Sequence, residues 1–195
     1  MPALRFEDLL QDPDRRHGAD RWGTDGRPVL LLNPAGGDRS AWWPVAARLA
    51  DEHTVAVLDL PEGRSIGDQA EALGAYVAAM GTRAPVVAGH GHAALVASLF
   101  AARYLAHAVV NIEQRLDEPH HDPDTERALQ EITGGPRRIR CRYLAIFAGG
   151  PGPGYEAWLR ERIPDAACAT YGTGGDCPHL SDPKRFTDDL RELAA

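Results

Sequence analysis

Cysteine is scarce in this 195-residue chain, and the three that occur do not pair: Cys141, Cys168 and Cys177 lie far apart with no CxxC spacing. An odd, scattered set argues against a disulfide framework and against a zinc ribbon, and a reducing cytoplasm is the simplest expected home. No long apolar run exists either. The most apolar stretch, residues 93–102, is stopped by Arg103 at about half the length a membrane span needs. The first residues, MPALRFED, lack a basic n-region followed by an apolar stretch, so no secretory signal is read there. Positive charge is in deficit: 21 Lys and Arg against 28 Asp and Glu leave a formal net charge of −7. Sequence-independent attraction to nucleic acid or to an anionic membrane is therefore not expected. One basic stretch, residues 136–142, reads as a solvated loop edge leading into a strand.

Signatures of bound groups are missing as well. The glycine clusters PAGG and GGPGPG match neither a Walker loop nor a dinucleotide fingerprint. His90 and His92 form an HxH, and His120 and His121 are adjacent, but the chain has no HxxxH or HExxH. Two rings on a turn entering a helix do not aim at one point, so neither a metal nor a cofactor is expected.

What remains is an ordinary globular composition, 44% hydrophobic and 25% charged, in a chain long enough for one domain with a real core. The first 27 residues are polar and rich in turn formers, with short helix or strand around residues 4–10. From Pro28 the pattern changes. Residues 29–32 are continuously apolar, as in a strand buried on both faces. A turn follows, and Ser40 is placed to cap a helix to about residue 50. Strands are expected at 54–58, 85–88, 108–112, 142–147 and 167–171. Leu73, Tyr76, Val77 and Met80 fall at i, i+3, i+4 and i+7, the buried face of a helix. Residues 93–104 are nearly charge-free and read as a helix buried under the sheet. Residues 114–140, charged and broken by prolines and glycines, read as a short cap-like insertion with one helix near 125–132. A helix follows at 155–162. Asp182 before Pro183 makes an N-cap and N1 pair for a final helix. This alternation predicts an α/β chain: one domain over 1–195, a mostly parallel sheet with helices on both faces, and ligand chemistry at the carboxyl ends of the strands.

Residues 85–93 (PVVAGHGHA) have the shape of a nucleophile elbow, Gly-x-Ser-x-Gly on a sharp strand-to-helix turn. Small residues at the ends, here Gly89 and Ala93, let the backbone press on its neighbours. Three other segments fit the same scheme in order and spacing. These are PVLLLNPAGG (28–37), AVLDLPEGRS (56–65) and GGDCPHLSDP (174–183). Together they make residues 28–195 resemble the α/β-hydrolase superfamily, esterases and thioesterases in particular, with reduced N-terminal strands and a minimal cap.

The departures from that family carry the functional reading. The elbow apex is Gly91, which has no group to form an acyl-enzyme. In the late loop the resemblance places the catalytic base after a glycine, where this chain has Asp176. His179 corresponds to the family's second, non-catalytic histidine. The loop expected to carry the acid is Gly149–Gly154 and contains no carboxylate. The resemblance therefore implies a degenerate triad. The remaining polar groups point to acid–base chemistry: Asp176, His92 beside the apex, and Glu113 at a strand end are the expected catalytic residues. Asn33, Ala35, Gly91, Cys177 and His179 are expected around a small-molecule ligand, with His90 a packing residue. Three functions fit. One is a cyclase-, isomerase- or lyase-type enzyme acting on a small hydrophobic acyl or polyketide-like metabolite. The second is an inactive pseudo-hydrolase that binds a ligand or a protein partner, as a homodimer or otherwise. The third is an esterase or thioesterase with relocated catalytic residues.

Overall fold

The computed structural model describes residues 19–33, 37–172 and 177–195. Seven strands among them form one sheet: β1 (Ala19–Trp22), β2 (Val29–Asn33), β3 (Val55–Asp59), β4 (Val86–His90), β5 (Ala108–Ile112), β6 (Arg142–Phe147) and β7 (Ala166–Thr170). Their order is β1-β3-β2-β4-β5-β6-β7. Only β1 is antiparallel, with Ala19 opposite Leu58 and Trp22 opposite Val55; every other pairing is parallel. The chain leaves β2 toward β3 on one side and returns to β4 on the other. The direction of winding therefore reverses at β2 and β4, and in such sheets the ligand crevice opens outside the carboxyl ends at that point.

The strands are apolar throughout because both faces are covered. Along β2, Leu30 and Leu32 join one core, while Val29 and Leu31 join the other. The first core is closed by α2 (Ile66–Ala79), α3 (His92–Arg103), α4 (Pro123–Gly134) and α5 (Tyr155–Arg162). The second is closed by α1 (Trp43–Leu49) and α7 (Pro183–Ala194). A short helix, α6 (Pro178–Ser181), leads into α7. The stripe read in the sequence is the buried face of α2: Leu73 and Tyr76 are fully covered and Met80 packs at its end. No helix among the described residues is long and apolar enough to cross a membrane.

Two local expectations change. The strand β1 lies in the stretch read as turns; four residues at an edge, Ala-Asp-Arg-Trp, are too few to show a period. The helix expected from Ser40 begins as a 3₁₀ turn, Arg39–Trp42, and becomes α1 only at Trp43. Its cap is Asp38, whose carboxylate accepts from Ser40 N–H at 2.9 Å, and Pro44 supplies the fixed φ at the start of α1. Within the segment 114–140 the expected helix forms as α4. The apolar face of α4, with Ala128, Leu129 and Ile132, belongs to the main core. Residues 4–10 lie outside the described residues.

One buried polar cluster ties three core elements together. Ser98 Oγ on α3 donates to the Ala94 carbonyl at 2.7 Å. Its hydroxyl therefore accepts from the Tyr143 hydroxyl at 2.9 Å, which in turn accepts from Asn111 Nδ2 at 2.8 Å. Ser98, Asn111 and Tyr143 are all buried. Tyr143→Phe removes the middle member and leaves a buried amide hydrogen unpaired. A loss of about 1–3 kcal/mol is expected, read as a lower urea midpoint with an unchanged m-value.

Candidate functional site at the strand carboxyl ends

The elbow has the geometry its sequence foretold. Gly91 sits between β4 and α3 at φ 54° and ψ −120°, a conformation glycine adopts freely and other residues do not. Its N–H donates to the Ile112 carbonyl at 2.8 Å, which fixes the apex over the end of β5. A Cβ at residue 91 would meet nothing within 4 Å, whereas one at Gly89 would lie 2.4 Å from the backbone C and O of Ala93. Close approach therefore demands glycine at 89, and the apex itself is open. Beyond it α3 begins without a side-chain cap. The first N–H groups of a helix have no intrahelical acceptor. Those of His92 and Ala93 thus form a partial positive charge suited to a carbonyl oxygen, carboxylate or enolate.

His92 opens α3. Its Nε2 lies 2.9 Å from Gln69 Oε1, and Gln69 Nε2 donates to the Pro61 carbonyl at 2.8 Å. That second bond orients the amide, so the oxygen faces His92 and Nε2 must carry the proton. Partial desolvation holds the His92 pKa below its ordinary value, against the pull of Asp124 and Asp122. The ring is then neutral at pH 7, with Nδ1 an unprotonated lone pair. Gln69, which sets this tautomer, was not among the residues singled out in the sequence. The available signal was a polar residue on a buried helix face, four positions before Leu73.

Glu113 follows β5 with φ 58°, an uncommon conformation for a residue with a side chain and one that clusters at functional sites. Its carboxylate accepts from Ala148 N–H, and its own N–H donates to the Ile146 carbonyl at 2.9 Å. His92 thus engages α2 while Glu113 engages the end of β6. The two expected catalytic residues flank the apex without a hydrogen bond between them. Asp176, the third, and Ala35 lie outside the described residues.

The remaining expected site residues take more structural parts. Asn33 is buried, and its amide group donates to the Gly37 carbonyl at 2.8 Å and to Asp59 Oδ1 at 2.9 Å. Asp59 in turn pairs with Arg39 at 3.2 Å. The amide hydrogens expected at a ligand are instead taken by Gly37 and by Asp59 at the end of β3. Cys177 caps α6, its carbonyl accepting from Leu180 and Ser181 N–H at 3.0 Å. His179 is buried and stacked on Trp42, ring centroids 4.2 Å apart, with His90 at 5.8 Å. Burial, reinforced by His90, pushes its pKa down to about 4. Its Nδ1 is buried with no hydrogen-bond partner among the described residues.

The glycine-proline loop after β6 is held from outside. Arg115 donates to the Pro151 carbonyl, pairs with Asp117 at 2.6 Å and lies 4.6 Å over the Tyr155 ring. Among the described residues no three His, Cys, Asp or Glu side chains gather as a metal-binding set.

No protein-family model and no curated protein matches the chain. Solved structures do. AqDC, solved with its product in a study of recognition and ring-cleavage of the Pseudomonas quinolone signal, aligns with a TM-score of 0.73 at 13% identity, covering 91% of this chain and 96% of that one. A thermophilic esterase from Thermogutta terrifontis aligns at 0.66 and 19% identity, over 92% and 94%. MGS-MChE2, an α/β-hydrolase enzyme from lagoon-sediment metagenome, aligns at 0.69 and 16%, over 93% and 95%. At such identities the likeness is one of architecture, and with the sheet order, the single antiparallel strand and the Gly91 elbow it establishes that this chain has the α/β-hydrolase fold.

Proposed function

We propose that this protein is an enzyme that uses the hydrolase fold for acid–base chemistry rather than acyl transfer. Its substrate is a small, apolar, carbonyl-bearing metabolite, and its reaction is of the cyclase, isomerase or lyase kind. The observation that carries the reading is the state of His92. A neutral imidazole with its proton fixed on Nε2 presents Nδ1 as a base, one residue beyond an apex without a nucleophile. The substrate carbonyl rests on the α3 N–H groups and His92 removes a proton made acidic by that contact. The imidazolium formed at His92 returns that proton to the product, so the ring ends neutral again. The ring-cleaving protein among the structural neighbours lends support, because it uses the same architecture on a small cyclic molecule.

The tautomer is directly measurable. Long-range ¹H–¹⁵N spectra of the imidazoles are expected to show His92 protonated at Nε2, with a pKa below 6.5. A protonated Nδ1 would remove the base. For activity, lactones, quinolones and β-dicarbonyl compounds are screened by thermal shift, and stabilising compounds are incubated and their products identified. His92→Ala is expected to lower turnover by about 10²–10⁴-fold while binding persists. Undiminished turnover would sink the assignment. Hydrolysis of p-nitrophenyl esters lost in Asp176→Asn would restore the relocated esterase instead.

A second reading, a ligand-binding protein without turnover, draws on a different observation. The Glu113 carboxylate and the Asn33 amide are both engaged within the chain itself. Compounds that raise the melting temperature and emerge unchanged would favour it.

A further inference from the structure

At the opposite end of the sheet, away from the elbow, the chain has an open cleft of about 650 Å³. It lies between the end of α3 and the segment entering β6, and its volume is within the range of small-molecule sites, roughly 300–1,000 Å³. One wall is apolar and built from backbone-close alanines, Ala101, Ala102 and Ala106, with Leu105 70% exposed and Tyr104 42% exposed beside them. The other wall carries Arg137, Arg138 and Arg140. Ile139 between the last two is fully buried, so the chain is pinned and its arginines stand out on either side. This is the basic stretch that the sequence offered as a solvated loop edge.

Arg138 and Arg140 have no ion pair among the described residues, while Arg137 is close enough to Glu131 to help lower that carboxyl's pKa. Arg103, also at the cleft, is held by a bidentate pair with Glu131 at 2.8 and 2.7 Å. Arg137 makes one bond, to the Arg103 carbonyl at 3.4 Å. In a chain of net charge −7 a pocket of exposed guanidinium groups runs against the overall field.

We propose that this cleft is a second binding site, for a small organic phosphate monoester with an apolar stem. Guanidinium forks match phosphate oxygens in plane and in number. The phosphate sits among Arg137, Arg138 and Arg140, and the stem lies along Ala101, Ala102 and Leu105. A lipid headgroup presents the same chemistry, but a membrane surface is the poorer occupant. Polybasic lipid anchors use roughly four to eight clustered cations, against three here on an acidic protein.

The test uses the full chain and octyl phosphate below its micelle concentration, followed by calorimetry and amide chemical shifts. Binding is expected, with shifts at residues 101–107 and 137–141. It should weaken at least about 10-fold for inorganic phosphate and for octanol, each of which offers half of the chemistry. Arg138→Gln with Arg140→Gln, both exposed side chains, is expected to reduce affinity about 10-fold or more with melting temperature unchanged. Leu105→Ser should reduce it for octyl phosphate and not for inorganic phosphate. Equal affinity in wild type and the double variant, shifts confined to the elbow, or no binding would overturn the proposal. Tighter binding per phosphate to phosphatidylglycerol vesicles than to octyl phosphate would also overturn it, in favour of a membrane surface.

Discussion

Replacing Gly89 by alanine is expected to destabilise the protein by at least about 3 kcal/mol, more than a single added methyl group ordinarily costs in a core. The new Cβ would stand 2.4 Å from Ala93 C and O and 2.7 Å from Ala94 N. All three are backbone atoms of the first turn of α3, so no rotamer change relieves the contact. Relief requires α3 to move off the sheet, and with it the apolar face that covers β4 and β5. Gly91→Ala is the internal control, two residues away with the opposite balance. Its Cβ meets nothing within 4 Å, and only the backbone conformation, φ 54° and ψ −120°, is penalised, by about 1–3 kcal/mol. Urea unfolding of the two variants separates the terms. Equal midpoints would mean that the strand and helix do not approach as closely as described.

Acid is expected to unfold this protein early, with His179 a principal cause. In the unfolded chain a histidine takes up its proton near pH 6.5. In the folded protein His179 does so only at about pH 4, because its ring is buried against Trp42 and the His90 ring lies 5.8 Å away. Between those values the unfolded state binds more protons than the folded one, so stability rises with pH across the window. It is intact above about 6.5 and is lost as pH falls toward 4, by a total of about 3 kcal/mol. His92, also lowered, adds a smaller loss of the same sign. His179→Phe keeps an aromatic ring between Trp42 and Phe186 and removes the titration. The stability difference between variant and wild type, from urea curves at pH 7.5 and 4.5, is expected to shift by roughly 2–3 kcal/mol in favour of the variant. Subtraction cancels the carboxylates that titrate in both proteins. A difference independent of pH would show that His179 protonates as an ordinary histidine.

Much of the scaffold was legible because it rests on periodicity and local turn chemistry. Continuous apolar runs identified the buried strands, the 73–76–77–80 stripe identified α2, and Asp182 with Pro183 marked the start of α7. The elbow was legible because close packing leaves glycine no substitute at residue 89. The parts that stayed hidden depend on partners distant in sequence. Asp38, rather than Ser40, caps the turn before α1 because Pro44 sets where that helix starts. Gln69 governs His92 from 23 residues away. The Asn33 amide is claimed by Asp59, and the Glu113 carboxylate by a backbone N–H at the end of β6. No local pattern reveals such pairings. Residues 136–142 are the solvated edge the sequence suggested, with Arg137, Arg138 and Arg140 exposed ahead of β6; that they also line a cleft depends on α3, more than thirty residues earlier.

The open glycine apex has a consequence for how this protein will be encountered in a cell. Surveys that find hydrolase-fold enzymes with fluorophosphonate or β-lactone probes depend on a serine at the elbow, and residue 91 offers none. Two of the three cysteines answer thiol-directed probes poorly as well, since burial pushes Cys141 and Cys168 up to about 11 and so holds both as thiols at neutral pH. For the ligands proposed above, methods that preserve equilibrium, such as thermal proteome profiling or ligand-observed NMR, are therefore the ones suited to the search.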